Sequence, residues 1–235
     1  MTLFGWRRAK EPTDDSDEGR EKEFERRRHE MVRNQIERRD VRDPAVLTAM
    51  REAPRHRFIP ESLWAEAYED SPLPIGYDQT ISQPYIVALM TQLLQVGAGD
   101  TVLEVGTGSG YQAAILAHLG CEVFTIEIVE PLAKQAETTL RELGCLNVHV
   151  LYGDGYDGYQ EHAPFDGIIA TAAPDHVPQA LVDQLKGGRR LVLPVGYLNQ
   201  DLYVIEKTAV GLHKRSIIPV RFVPMTGRAE SGADE

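Results

Sequence analysis

The chain has 235 residues, of which 42% are hydrophobic and 26% charged, the balance of a soluble globular protein with material for one substantial core. Its formal net charge of −11 and pI near 5.1 exclude a general attraction to nucleic acid phosphates, so no nucleic acid partner is expected. No apolar run reaches the length of a membrane span and no signal-peptide core opens the chain, while Cys121 and Cys145 make neither a metal-ligand spacing nor a disulfide framework; a cytoplasmic protein without a metal or membrane partner is expected.

Residues 1–25 mix acids and bases around Glu11-Pro12-Thr13-Asp14-Asp15-Ser16-Asp17-Glu18-Gly19 and hold hardly any apolar side chain. A disordered charged extension is expected there. Over residues 24–39, Phe24, Met31, Val32 and Ile36 fall partly at helical spacing, which predicts a solvated helix with one narrow apolar stripe, and Arg26-Arg27-Arg28 reads as its solvated face. Asp43-Pro44 starts the next helix, aspartate as cap and proline at the first position; Val46, Leu47 and Met50 form its buried side and Pro54 closes it. Arg55-His56-Arg57-Phe58-Ile59-Pro60 reads as a connector that plugs Phe58 and Ile59 into the core. His56 is structural in this reading, since no histidine or cysteine lies at metal-ligand spacing from it. A stretch with Pro72, Pro74 and Gly76 then delivers Thr80-Ile81-Ser82-Gln83-Pro84, and Ser82 is placed as the N-cap of an apolar helix over residues 85–94.

Val102-Leu103-Glu104-Val105, Gly106-Thr107-Gly108-Ser109-Gly110 and Tyr111-Gln112-Ala113-Ala114-Ile115-Leu116-Ala117 read as strand, glycine turn and helix. The turn leaving a buried parallel strand is tight, and a ligand pressed against bare backbone leaves no room for a Cβ, so the position suits a nucleotide. The dinucleotide fingerprint would put Gly or Ala at Tyr111, whereas the third glycine here comes one residue early, which disfavours a nicotinamide cofactor. A second strand, residues 121–127, ends in Glu127, an acid placed to accept from both hydroxyls of a ribose.

The alternation continues with a helix from Pro131 to about residue 143, a strand at 148–152 and the turn Gly153-Asp154-Gly155. A strand at 165–170 ends in Thr171-Ala172-Ala173-Pro174, a helix covers 178–185, Gly187-Gly188 breaks it, and a fifth strand covers 190–194. This predicts an α/β fold with a parallel sheet wrapped on both faces, extended at its edge by an antiparallel ribbon of residues 202–206 and 214–223. Ligands in such sheets collect beyond the carboxyl ends of the strands where the strand order reverses. The glycine turn, Glu127, Asp154 and the loop at Thr171 all leave from that side and are expected to line one crevice.

An acid-Val-Gly-x-Gly-x-Gly turn followed by a second-strand acid resembles the S-adenosylmethionine site of Rossmann-like methyltransferases. With the segments at residues 54–60, 80–85, 102–117, 153–155, 165–174, 191–196 and 221–225, the chain resembles the protein-L-isoaspartate O-methyltransferase family over nearly all of residues 31–226. The resemblance implies a Rossmann-like methyltransferase domain over 26–227, with a helical substrate-side region at 26–98, a core at 99–227 carrying the antiparallel strands, and a flexible tail at 228–235. It implies S-adenosylmethionine as methyl donor, S-adenosylhomocysteine as product, and isoaspartyl peptides and proteins as substrates of a monomer; activity on D-aspartyl residues stays open. Ser82 matches the family's active-site serine. The cofactor set implied is Thr80, Ile81, Glu104, Gly106, Thr107, Gly108, Glu127, Ile128, Gly153, Asp154, Gly155 and Thr171, and the substrate set is Ser82, Ala172, Ala173 and Pro174.

The chemistry is consistent with the absence of a catalytic dyad. A carboxylate is ionised at neutral pH and is already the nucleophile, so positioning is what remains to be supplied. A methyltransferase acting on a small molecule or RNA would share the glycine turn and both acids but has no need of the Thr80 to Tyr85 segment. A non-enzymatic S-adenosylmethionine-binding module would tolerate losing Ser82.

Overall fold

The computed structural model describes residues 17–231. Helix α1 (Asp17–Met31) runs into a π turn, Val32–Ile36. It overturns the expectation of disorder for residues 17–25; residues 1–16 of that extension lie outside the described residues. The charges that argued for disorder pair along the helix instead, Lys22 with Glu18 and Arg26 with both Glu23 and Glu30. Exposed pairs of this kind contribute only a few tenths of a kcal/mol each, so the docking contact matters more: Phe24 stacks on the fully buried His56 with ring centroids 4.2 Å apart.

Helix α2 (Pro44–Glu52) begins as expected, the Asp43 carboxylate accepting from the amides of Ala45 and Val46 at 2.9 and 3.3 Å. Beyond it Arg55 is completely buried, donating to the carbonyls of Ala67 (2.8 Å) and Ser71 (3.3 Å) with its guanidinium over the Tyr111 ring. That ties the connector to the chain entering a small antiparallel hairpin, β1 (Leu73–Gly76) and β2 (Gln79–Ile81). Its turn residues Tyr77 and Asp78 both have positive φ, 54° and 56°, the geometry that matches the twist of a two-residue hairpin. Helix α3 (Pro84–Leu94) follows with Gln83, not Ser82, at its N-cap and no side-chain capping bond. Pro84 takes the first helical position, which moves the cap one residue past the serine.

The sheet proper has seven strands: β3 (Thr101–Val105), β4 (Glu122–Glu127), β5 (Val148–Tyr152), β6 (Phe165–Ala170), β7 (Leu185–Val195), β8 (Gln200–Thr208) and β9 (Gly211–Val220). Their order is β5-β4-β3-β6-β7-β8-β9. The first five pair in parallel, and β8 and β9 add antiparallel at the edge. β3 and β6 are neighbours whose onward connections run in opposite directions, so the switch point lies between them, where a ligand crevice opens.

Strand alternation divides the core in two. Val102, Val123, Ile169 and Val192 face helices α2, α3, α4 (Tyr111–His118) and α5 (Glu130–Glu142), while Leu103, Phe124, Ile168 and Leu191 face α6 (Gln179–Asp183), the connectors and Met225. Both faces are covered, unequally, because β7 returns through a hairpin and not a crossover helix. The expected break at Gly187-Gly188 is also displaced. α6 ends at Asp183 and β7 already starts at Leu185, with the glycines in a bulge whose flanking Lys186 and Arg189 pair with Asp166. Among the described residues no helix is long and apolar enough to cross a membrane.

Candidate functional site

The glycine turn leaves β3 with Gly106, Gly108 and Gly110 at φ of 94°, 53° and 87°, a conformation that a side chain disfavours. At Gly106 space forbids one as well, since a Cβ would stand 2.5 Å from the Thr171 hydroxyl. That hydroxyl donates to the Gly106 carbonyl and so fixes the turn from β3 to the loop leaving β6. The Gly106 amide donates to Ile126 O at 2.8 Å, and the Gly108 amide donates to the Glu127 carboxylate at 2.7 Å. Glu127 accepts a second amide, from Val129, at 2.9 Å on its other oxygen. Each of its oxygens retains a lone pair for a ligand hydroxyl.

Behind the turn a buried chain of polar groups crosses two strands. Thr125 donates to the Glu104 carboxyl at 2.6 Å, and the Thr107 hydroxyl, 2.7 Å away, then donates to Thr125. The second Glu104 oxygen has no partner among the described residues. Burial pushes the Glu104 carboxyl up to about 8, the Thr125 bond opposing and the charge of nearby Glu127 adding to the rise. Glu104 is therefore largely a neutral acid at pH 7.

Asp154 stands after β5, its carboxylate accepting from the amides of Tyr156 (3.0 Å) and Arg228 (2.8 Å). The Arg228 guanidinium pairs with Asp157, and Gly227 packs so closely that a Cβ would meet the Asp154 carboxylate at 2.4 Å. This overturns the expectation of a flexible tail for residues 228–231, which belong to a 3-10 turn, Gly227–Ser231; residues 232–235 lie outside the described residues. A polar partner at Asp154 and the packing of Ala229 supply what a solvated tail lacks.

The glycine turn, Glu127 and Asp154 line one crevice that opens to solvent. Of the residues singled out from sequence, Thr80, Gly106, Gly108, Glu127, Ile128, Asp154, Gly155, Thr171 and Ala172 line it. Glu104, Thr107 and Ile81 are buried behind it and Gly153 stands beside it. Ala173 and Pro174 are likewise not on its surface: Ala173 bridges to Pro224 through paired backbone bonds, its amide donating to Val223 O at 2.9 Å and its carbonyl accepting from the Met225 amide at 2.8 Å, and both residues are buried. The wall that those bonds hold, Val223, Pro224, Met225 and Thr226, was not legible as part of the crevice, nor was Gln79. Ser82 lines an adjoining cavity of about 940 Å³, open to solvent, that shares Thr80, Thr171 and Val223 with the crevice. Its hydroxyl makes no hydrogen bond among the described residues.

A crevice at the switch point of a mostly parallel sheet, floored by a glycine turn and holding one acid at the end of β4 and another after β5, defines a Rossmann-like methyltransferase. More narrowly, the chain belongs to the Protein-L-isoaspartate(D-aspartate) O-methyltransferase (PCMT) family, whose sequence profile matches residues 26–230. It is 54% identical over 202 residues to a protein-L-isoaspartate O-methyltransferase of Picosynechococcus sp., covering 86% of this chain and 91% of the relative. It is 52% identical over 226 residues to protein-L-isoaspartate O-methyltransferase 2 of Shewanella sediminis, covering 95% and 91%. Among solved structures, a protein-L-isoaspartate O-methyltransferase superposes with a TM-score of 0.78 at 28% identity over 87% of this chain and 67% of that one. A beta-aspartate methyltransferase (PCMT) of Plasmodium falciparum in complex with S-adenosyl-L-homocysteine superposes with a TM-score of 0.75 at 26% identity over 85% and 98%.

Proposed function

We propose that this chain transfers a methyl group from S-adenosylmethionine to the free α-carboxylate of L-isoaspartyl residues in peptides and proteins, starting a repair that proceeds through a succinimide. The observation that carries this reading, beyond family membership, is the shared wall: the crevice with both acids and the cavity with Ser82 meet at Thr80, Thr171 and Val223. A donor in one and a carboxylate in the other would be in contact there. The residues fit the donor. Gly106 leaves bare backbone where a Cβ has no room, Glu127 offers lone pairs to a ribose, Asp154 offers them to a base, and Val105, Ile126, Ile128 and Met225 give apolar walls.

When bound, S-adenosylmethionine supplies an electrophilic sulfonium methyl. The residues of the chain hold and orient. Thr80, Gly106, Gly108, Glu127, Ile128, Gly155 and Thr171 contact the donor in this reading, and Ile81, Glu104, Thr107 and Gly153 support them from behind. Ser82 donates its hydroxyl proton to the substrate carboxylate, and the amides at the first turn of α3 add a positive field. That the serine is not a helix cap supports the assignment, since its hydroxyl is not engaged by any of the described residues. Ala172 borders the substrate, with Ala173 and Pro174 as its backing. Residues 17–98 form the substrate side of one domain that reaches residue 231, acting as a cytoplasmic monomer. The net charge of −11 speaks against a nucleic acid partner.

Two peptides that differ only in Asp against isoAsp, incubated with methyl-labelled S-adenosylmethionine, test the reading. Base-labile label is expected on the isoAsp peptide alone, and label on neither or on both refutes it. Ser82→Ala is expected to lower turnover about 100-fold, as loss of one positioned donor does elsewhere, with the donor Kd retained by calorimetry.

A further inference from the structure

The Ser82 cavity does not end at Ser82. Its far wall, Pro219, Val220, Arg221 and Phe222, is also the near wall of an open trough whose other side is the loop between β7 and β8. That loop presents Tyr197 and Leu198, 80% and 88% exposed. Scattered exposed apolar residues need no explanation, but two large ones in succession on a groove rim do.

The rim is also held in place. Gly196 has φ of 128°, and a Cβ there would stand 2.1 Å from the Asn199 carbonyl, so the loop is closed tightly on itself. Its amide donates to Pro174 O at 2.9 Å. Across the trough, Gln200 grips both backbone groups of Phe222, accepting from its amide at 2.6 Å and donating to its carbonyl at 3.1 Å. Tyr197 and Leu198 thus stand on a fixed frame tied to the wall of the Ser82 cavity. Arg221, exposed where cavity and trough join, has no ion-pair partner among the described residues, although the chain carries a net charge of −11.

We propose that this trough holds the substrate chain flanking the reacting isoaspartate, with Tyr197 and Leu198 receiving an apolar side chain of that flank. The inference rests on the isoaspartyl reading and deepens it. The four residues 219–222, of which the last two lie beyond the end of β9, span at most roughly 10 Å, the length of about three residues of an extended peptide lying alongside, so the side chain received belongs to the second or third residue from the isoaspartate. An extended peptide recognised by a pocket for one flanking side chain is a recurring binding mode. Arg221 at the junction repels a cation at the same position.

The test is a set of isoaspartyl peptides carrying Leu, Ser or Lys at the second and third positions on either side, assayed with the full chain and S-adenosylmethionine. On one side kcat/KM is expected to follow Leu over Ser over Lys, Leu exceeding Ser about tenfold, mainly through KM, as a partly covered apolar contact gives. A Tyr197→Ser/Leu198→Ser variant is expected to lose the Leu preference while binding S-adenosylmethionine with the wild-type Kd. Arg221→Ser is expected to narrow the gap between Ser and Lys. Methylation of every peptide at the same kcat/KM, or a Leu preference that survives in the double variant, overturns this inference and leaves the isoaspartyl reading standing. Methylation of none overturns both.

Discussion

At the scale of single residues, the site is built from side chains that serve the backbone first. Glu127 and Asp154 each accept two amides, which fixes their carboxylates before any ligand arrives. Ser82 is the opposite case, a hydroxyl with no hydrogen bond among the described residues. Glu104 is costly in its place: completely buried, one oxygen without a partner among the described residues, and pushed from an ordinary 4.5 to about 8 mainly by burial. Below about 4.5 the carboxyl is neutral in both folded and unfolded chains. Between about 4.5 and about 8 the unfolded chain ionises while the folded one does not, so the unfolded state binds fewer protons and stability falls as pH rises. The limiting slope is about 1.4 kcal/mol per pH unit. Glu104→Gln keeps a neutral group of the same shape and lacks that slope. Urea midpoints measured from pH 5 to 8 should show the variant gaining on the wild type as pH rises; parallel curves would mean that Glu104 is ionised in the folded protein.

At the scale of elements, what was legible in the sequence and what was not separate by how local the cause is. The strand, glycine turn and helix at residues 102–117 could be read because each step depends on its own neighbours: an apolar run, three glycines, then small and apolar residues. The same holds for the Asp43-Pro44 cap. Residues 17–25 were misread because Phe24 finds its partner at His56, far along the chain, and nothing nearby in sequence announces it. The relay from Thr107 to Glu104 crosses two strands and shows only once β3 and β4 are in register. The C-terminal turn was missed for the same reason, its partner being Asp154. That turn divides into contributions of unequal weight. The Arg228–Asp157 pair is about half exposed on both sides, where ion pairs contribute at most about 1 kcal/mol, whereas the bond to Asp154 comes from the backbone and does not depend on the side chain. Arg228→Ala is accordingly expected to raise the S-adenosylmethionine Kd less than about fivefold. Deleting residues 227–235 removes a charge-assisted hydrogen bond of about 1.5–3 kcal/mol and is expected to raise the Kd at least about tenfold. Equal effects of the two changes, by calorimetry, would shift the weight to the guanidinium.

At the scale of the whole molecule, the crevice is assembled from elements far apart in sequence that meet through a small number of hydrogen bonds at its rim. Gln79 and Thr80 come from the β1–β2 hairpin, Gly106 and Gly108 from the turn after β3, Glu127 from β4, Asp154 from beyond β5, and Val223 to Thr226 from the chain after β9. The hairpin lies in a sheet of its own and does not pair with the seven-stranded one. Residues 223–229 are held by backbone bonds to Ala173 and to the Asp154 carboxylate, the Arg228–Asp157 pair, and the burial of Met225 and Ala229. A ligand that fills the crevice adds contacts across all of them, so its binding free energy is shared among these elements. S-adenosylmethionine at 100 times its Kd should add about 2.7 kcal/mol to the stability of the whole, which for a chain of this size raises the Tm by roughly 5–11 °C. A stabilised core alone would give that shift, so the discriminating readout is local. Amide exchange should slow together at the hairpin, at the turn after β3 and at residues 223–228 when the donor is added. Protection confined to the turn after β3 would mean that the ligand sits on the sheet without reaching the hairpin or the C-terminal wall, and the cavity of Ser82 would then have no methyl donor at its border.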